Sequence, residues 1–385
     1  MSNIDLKIDK TSWVIEKVGG LATEISERVE NPAQSNFGKF VGLQHFISGD
    51  LKISRCAGVD NLVSAAKAFQ AGDILLARRN AYLRRAALVE FNGICSGDAF
   101  VLRENPEKLL PGFLSIIVNS SLFWDFANSN AAGTMSKRVK WRDLSEFEVL
   151  MPSKGEQQKI SDLVWSSYRE TQAKQTLKPK ITRLVSTSFK EFFDQDFGKY
   201  TPLGQCGEWK SGGTPSRKNM SFWGGDISWV SPKDMKTEYI SGSIEKITDD
   251  AVENGARILP KSSLLVVVRG LILAHSFPVG LTRKDVSFNQ DIKALIPSGK
   301  YRPEFILYFL QYKKQDVLNM ITTTTHGTKR LSSDALFGLL VPDVSLHGQD
   351  LFIQKIKKQK DVLYSIDRCL IHSKELNQNI INQVF

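Results

Sequence analysis

The residues best equipped for chemistry in this chain are arginines and lysines gathered where the backbone must turn. Arg78, Arg79, Arg84 and Arg85 flank Asn80-Ala81-Tyr82, a tripeptide that reads as the tip of a β-hairpin. A guanidinium is a planar fork that fits a guanine edge or a phosphate, so four of them beside Tyr82 make a candidate nucleic-acid contact. Lys137, Arg138 and Lys140 form a second basic corner after Gly133, closed by Trp141, and Lys329 and Arg330 stand in a similar place after Gly327. Arg269 ends an apolar run upstream of that last pair. The longest candidate is GEWKSGGTPSRKNMSFWGGDISWVSPKDM, residues 207–235, in which Lys210, Ser211, Thr214, Ser216, Arg217, Lys218 and Lys233 lie among Gly212, Gly213, Gly224 and Gly225. Glycine permits positive φ and close backbone approach, and donors on such a backbone can hold a phosphate. Residues 207–235 are equally compatible with a tight turn bearing solvated charges, whereas the hairpin and the two matching basic corners favour DNA contact over a solvated turn.

Catalytic motifs are missing by comparison. The chain has no Pro-Pro for an amino-methyltransferase tetrapeptide and no G-x-G for a nucleotide loop. Asp343 after Pro342 is not followed by the E-x-K or D-x-K of a nuclease. The four cysteines, Cys56, Cys95, Cys206 and Cys369, include no C-x-x-C pair, and the five histidines are scattered, so neither a zinc site nor another metal site is expected. Among 385 residues, 42% hydrophobic and 24% charged, no apolar run approaches a membrane span, and the first ten residues lack a signal core. These features describe an ordinary globular protein expected in a reducing cytoplasm. The net charge of +10 is spread along the chain, so a nucleic-acid footprint has to come from the local clusters.

The elements that must position these clusters occur twice, at an offset of about 190 residues. ILLAR (74–78) matches LVVVR (265–269), Asp98 matches Asp291, PGFLSIIV (111–118) matches PEFILYFL (303–310), and Gly133 and Pro152 match Gly327 and Pro342. A period this long means a duplicated domain and not a solenoid. Each copy mixes short strand patterns with one helix, expected over 112–128 in the first and from Pro303 to Met320 in the second. The fold class is therefore α+β.

Each copy hands over to a longer helix. Ser153 with Glu156 makes a capping box. Beyond it Ile160, Leu163, Ser167, Glu170, Lys174, Leu177, Ile181, Leu184 and Ser188 alternate at three and four residues. Phe352, Ile356, Gln359, Leu363, Ile366, Leu370, Ser373, Asn377, Ile380 and Val384 do the same. Such 3.5-residue periodicity requires a partner, and the economical arrangement pairs the two helices with each other. Pro179 is expected to kink or split the first of them. Helices of about 33 residues would run about 50 Å, longer than the roughly 34 Å of one DNA turn.

Taken together, FVGLQHF (40–46), FQAGDILLARRNAYLRRA (69–86), FNGICSGDAFVLR (91–103), GTMSKRVKWRDLSEFEVLMP (133–152), EQQKI (156–160), SGGTPSRKNMSFWGGDISWVSPKDM and GTKRLS (327–332) resemble the specificity subunit of type I restriction–modification enzymes. The resemblance implies two similar mixed α/β target-recognition domains, over 1–152 and 196–344. It also implies two conserved helical regions, over 153–195 and 345–385, that pair as long antiparallel coiled-coil helices separating the domains. Each domain would read one half of a bipartite, asymmetric site in double-stranded DNA, and the helices would dock two methyltransferase subunits. A restriction and translocase subunit would complete the assembly. S-adenosylmethionine, ATP and magnesium would belong to those partners, leaving this chain without cofactor or catalysis. A structural adaptor without DNA specificity and a stand-alone DNA-modifying enzyme are the competing readings. Gly348-Gln349 where the first region has Glu156-Gln157, and Pro179, depart from the family pattern.

Overall fold

The structure, a computed structural model, describes residues 8–385, and its contacts divide the chain into two units. Unit 1 comprises the residues up to Leu177 together with Ile366–Phe385, and unit 2 is Lys178–Ser365. The central sheet of unit 1 is antiparallel, built from β1 (Ala22–Ile25), β2 (Ile74–Ala77), β3 (Ala86–Leu88) and β4 (Ala99–Glu104) in the order β1-β4-β2-β3. β2 is buried along its whole length, which explains its unbroken apolar run. Ile74 and Leu76 face a core shared with the helices, whereas Leu75 faces a second core with Phe69, Val89 and Cys95. The helix expected over 112–128 is two helices, α1 (Phe113–Ile117) and α2 (Ser121–Ser129). Asn119 sends its amide to the carbonyls of Ala86 (3.1 Å) and Ser115 (2.8 Å), and Ser120 caps α2 by accepting from the Phe123 N–H. That polar pair ends one helix and starts the next. The long α3 (Lys154–Phe193) begins in this unit.

Unit 2 repeats the sheet with β5 (Gly207–Ser211), β6 (Tyr239–Ile240), β7 (Leu264–Val267), β8 (Val279–Thr282) and β9 (Ile292–Pro297), in the order β5-β9-β7-β8-β6. Even the register is copied. Ile74 of β2 lies opposite Leu102 and Leu88, and Leu264 of β7 lies opposite Leu295 and Leu281. Strand Val14–Lys17 pairs with Glu148–Met151 in unit 1 as Tyr200–Pro202 pairs with Leu340–Pro342 in unit 2. The second expected helix is also divided, into α4 (Pro303–Tyr312) and α5 (Lys314–Asn319), with the break at Lys313. The last helix, α6 (Leu346–Val384), starts in unit 2.

The entry of each long helix is fixed by one buried glutamine. Gln157 gives its amide to the carbonyls of Lys108 (3.0 Å) and Pro152 (3.1 Å) and accepts from the Leu110 N–H (3.0 Å). Gln349 does the same with Lys300 (3.0 Å), Val344 (2.8 Å) and the Arg302 N–H (2.8 Å). The capping box forms at α3, where Glu156 accepts from the Ser153 N–H and the Ser153 hydroxyl receives the Glu156 N–H. Gly348 leaves α6 without that carboxylate, and the first turn there is tied instead by a two-pronged Arg302–Asp350 ion pair.

The buried face of α3 keeps the expected spacing one residue further on. Gln157, Ser161, Val164, Tyr168 and Thr171 are buried in unit 1 and Val185, Ser188 and Phe189 in unit 2. Leu163, Leu177 and Leu184 are 41%, 42% and 46% exposed, Ile181 is half-buried, and Ile160 is buried. The apolar neighbours Leu163-Val164 and Leu184-Val185 satisfy either phase, so spacing alone does not choose between them. In α6, Phe352, Ile356, Ile366, Ser373, Ile380 and Val384 are buried, and Gln359, Leu363, Leu370 and Asn377 are half-buried. Ile380, Ile381 and Val384 join the core of Ile160, Val164 and Tyr168 in unit 1, while in unit 2 Gln359 donates to Ser188 Oγ at 3.0 Å. Pro179 does not split α3, which continues unbroken through it. Residues 176–180 are all exposed, so water can serve the carbonyl of Gln175 that proline leaves without a donor.

Candidate nucleic-acid interface

In unit 1, β2 runs on through Arg78 and Arg79 into a short turn, Ala81–Leu83, bracketed by Asn80 and Arg84 in the left-handed conformation (φ 54° and 47°). The 133–140 corner lies along this extension. The Asn80 N–H donates to Lys137 O and the Val139 N–H to Arg78 O, both at 2.9 Å, and Arg79 pairs with Arg138 across the bridge. Two like charges placed side by side need a counter-charge, and Asp98 supplies it. One carboxylate oxygen accepts from Arg79 at 3.2 Å and the other from Arg138 at 3.3 Å, while Arg79 Nε also donates to Ser136 Oγ. Both guanidiniums keep open faces, with side chains 38% and 46% exposed. Lys137 and Lys140 are exposed beside them, and Tyr82 is 67% exposed at the tip.

The other arginines of the cluster hold the hairpin together. Arg78 lies over the Phe100 ring with its Nε buried. Arg85 donates to the carbonyls of Leu43 and Arg79, and burial lowers its pKa from the usual arginine value. Arg84 donates to Ser121 Oγ and faces Asp125 at 3.7 Å.

Unit 2 builds the same corner. Gly270 (φ 137°) takes the place of Asn80, its N–H donating to Lys329 O, and the Leu331 N–H donates to Val268 O. Arg269 pairs with Asp291 at 3.2 Å and lies across the bridge from the exposed Arg330, and Lys329 reaches Thr323 Oγ1. The counterpart of Arg269 is therefore Arg79 and not Arg78, a one-residue shift from the match of the two apolar runs. Two adjacent arginines fit that match equally well, and only the backbone ladder distinguishes them.

The 207–235 stretch is a packed knob and not an open phosphate loop. Arg217 forms a two-pronged ion pair with Glu245 and lies 3.7 Å from the Trp223 ring centre and 5.2 Å from that of Trp229. Trp223 Nε1 donates to Ser216 O, Trp229 Nε1 to Gly213 O, and Thr214 Oγ1 to Gln290. Gly212 is required by close approach, since a Cβ there would stand 2.1 Å from the carbonyl oxygen of Asn289. Lys210 pairs with Glu208, and Ser211 Oγ accepts from Lys293. Lys218 and Lys233 remain exposed.

The structure thus brings together Arg79 with Arg138 and Arg269 with Arg330, each pair beside an aspartate that sequence reasoning did not count among the site residues. Asp98 and Asp291 were nonetheless visible as matched marks of the repeat. What such a corner can do chemically is bind: fixed guanidiniums with open faces accept anionic oxygens or base edges. Among the described residues no group of three or more His, Cys, Asp or Glu is placed to hold a metal, and no helix is long and apolar enough to cross a membrane.

Residues 199–339 match the family described as the type I restriction modification DNA specificity domain. A specificity subunit of a type I restriction enzyme from Escherichia coli is 31% identical over 182 residues, covering 47% of this chain and 45% of that protein. One from Methanocaldococcus jannaschii is 32% identical over 201 residues, 46% of this chain and 44% of that protein. The aligned segments thus span a little under half the length of these relatives. The fold is similar to that of the S subunit of a type I system from M. genitalium (TM-score 0.61, 15% identity, 99% of this chain and 98% of that one). It is also similar to that of the HsdS subunit from Thermoanaerobacter tengcongensis (TM-score 0.52, 18% identity, 100% and 99%).

Proposed function

We propose that this chain, which belongs to the specificity-subunit family of type I restriction–modification systems, reads a bipartite, asymmetric site in double-stranded DNA, one unit to each half. The observation that carries this reading is the doubled corner, Asp98 with Arg79 and Arg138 in unit 1 and, in unit 2, Asp291 with Arg269, across the backbone bridge from Arg330. A feature present in both units suits what any two stretches of duplex share, the phosphate backbone. Sequence would be read by what the units do not share, such as the Tyr82 tip in one and the Arg217 knob in the other. Lys137, Lys140, Lys218, Lys233 and Lys329 would add phosphate contacts around these features.

The exposed apolar residues of the long helices, Leu163, Leu177 and Leu184, are surface on which two methyltransferase subunits would dock. S-adenosylmethionine, ATP and magnesium would be held by those subunits and by a restriction and translocase subunit, and this chain would take no part in bond making. The test is DNA binding by the chain assembled with its methyltransferase, on duplexes in which one half-site or the other is scrambled. Arg79→Ala should weaken binding about tenfold with a shallower salt dependence, and scrambling the half read by unit 1 should erase the difference. Equal loss through both halves would overturn one unit per half. No DNA affinity even in the assembly would favour an adaptor, and modification by the isolated chain would favour an enzyme.

A further inference from the structure

Each basic corner contains one carboxylate, and a surface shaped only to grip phosphate would hold it more tightly without one. Asp98 and Asp291 stand at the same point of the two units, immediately before β4 and β9. Each is pinned through its backbone. The carbonyl of Asp98 accepts the Arg78 N–H at 2.9 Å, and the Asp98 N–H donates to Ser96 Oγ at 3.2 Å. The carbonyl of Asp291 accepts the N–H groups of Val268 (2.8 Å) and Arg269 (3.2 Å), and the Asp291 N–H donates to Asn289 Oδ1 at 3.1 Å. The two carboxylates are thus fixed at a strand end and not carried on a free loop.

Stability is a poor reason for this arrangement. The side chains of Arg79, Arg138 and Arg269 are 38%, 46% and 53% exposed, so water would solvate them without a counter-ion, and ion pairs this open contribute little to a fold. What the carboxylate does determine is direction and charge. Arg79 uses Nε on Ser136 and Nη1 on Asp98, and Arg138 uses Nε on Asp98. That leaves Nη2 of Arg79 and both Nη groups of Arg138 without a partner among the described residues. In unit 2, Asp291 holds Arg269 Nε on one oxygen and receives the Asn289 amide on the other at 3.3 Å. A guanidinium on a free stem can meet a phosphate of any duplex. One held from a strand end has less freedom to lose at its proper target, and gains less elsewhere because part of its charge is already met.

We propose that Asp98 and Asp291 are positioning residues for DNA discrimination, each holding the guanidiniums of its corner in a fixed direction and weakening their grip on duplex that lacks the recognised site. This rests on the reading of the two corners as DNA contacts. The aspartates touch no base and no phosphate themselves. They act through Arg79 and Arg138 in unit 1 and through Arg269 in unit 2, and what they raise is the ratio of specific to non-specific affinity, not affinity as such.

The chain assembled with its methyltransferase is titrated, over a range of salt, with a duplex that the unaltered assembly selects from a random pool and with a shuffled duplex of the same composition. Asp98→Asn keeps the shape and removes the charge. Its affinity for the shuffled duplex should rise about threefold, with a salt slope steeper by about one, while its affinity for the selected duplex does not rise. The ratio of the two therefore falls, and Asp291→Asn should lower it in the same way. Asp98→Glu, which keeps the charge, should restore the salt slope of the unaltered chain. Glu107 is exposed beyond the far end of β4, about 20 Å of strand from Asp98. Glu107→Gln should change neither ratio nor slope once salt shortens the Debye length to about 10 Å. Melting temperature checks each fold, and where Asp98→Asn does not fold, Asp291→Asn carries the test in the other unit. Ratios unchanged in the asparagine variants, or lowered equally by Glu107→Gln, overturn this inference and leave the corners standing as DNA contacts. Failure of the unaltered assembly to bind any duplex overturns both.

Discussion

The two units receive the long helices through the same polar device and through different apolar ones. In unit 2 the junction is aromatic, a pile of Phe189, Phe192, Phe193, Phe305, Phe309 and Phe352 in which Phe192 and Phe352 stack at 3.9 Å. At the matching positions of unit 1 stand Ile381, Val384, Phe385, Phe113, Ile117 and Ile160, of which only the two phenylalanines touch ring to ring. Gln157 and Gln349, by contrast, have kept the residue type and all three partners. Apolar volume can be redistributed among neighbours provided the space is filled. A buried amide serving two carbonyls and an N–H has no substitute of the same shape.

This contrast is broken most forcefully at the aromatic pile. Phe352→Ala should destabilise unit 2 by about 4 kcal/mol and Ile160→Ala should destabilise unit 1 by about 3 kcal/mol, with hydrogen exchange assigning each loss to its unit. Phe352→Ile, which imports the unit 1 residue, should cost much less than alanine. If it costs as much, the two packings are not variants of one junction. The glutamines come next. Gln157→Ala and Gln349→Ala each leave three backbone groups without their partner, and should cost their own units about 2–3 kcal/mol, equally in denaturant melts within error. A loss confined to one unit would mean that the shared geometry does not carry shared energy.

Much of the architecture was legible because the chain repeats itself: the duplicated sheet, the α3 capping box and the phase of α6 all follow from local pattern. What escaped depends on partners remote in sequence. Spacing does not reveal that Arg78 lies on Phe100, that Arg85 holds the carbonyl of Leu43, or that Arg217 is neutralised by Glu245. A basic cluster therefore looked uniformly available when only Arg79 and Arg138 share an exposed corner. The phase of α3 escaped for the opposite reason, since adjacent apolar pairs gave the pattern two solutions. The helix breaks at Asn119-Ser120 and at Lys313 were hidden by apolar faces that continue across them.

Acid should separate the units more gently. In unit 2, Asp343 accepts from Lys300 (2.8 Å), Tyr301 and Thr201 (2.7 Å), and these, Lys300 foremost, lower its pKa from 3.8 to about 2. A carboxylate depressed on folding contributes stability that is present above its unfolded pKa and lost as pH falls through 3.8 towards 2. By the offset that relates Gln157 to Gln349 and Pro152 to Val344, Met151 stands in unit 1 where unit 2 has Asp343, and it cannot titrate. Unit 1 instead contains Glu104, whose carboxylate receives the N–H groups of Gly112 (2.8 Å) and Leu114 (2.7 Å) yet is raised above 4.5, because burial outweighs those bonds. A raised carboxylate carries the opposite sign: the fold gains as pH falls through the elevated folded pKa towards 4.5, and the gain then stays level. Between neutral pH and pH 3, hydrogen exchange should therefore show protection around Tyr200–Pro202 and Leu340–Pro342 falling relative to that around β4 and α1. Asp343→Asn should make the unit 2 profile shallower, Glu245, Glu304 and Asp350 being lowered there as well, and leave that of unit 1 alone. Parallel loss in both units would mean that acid acts on the chain through its net charge and not through these two carboxylates.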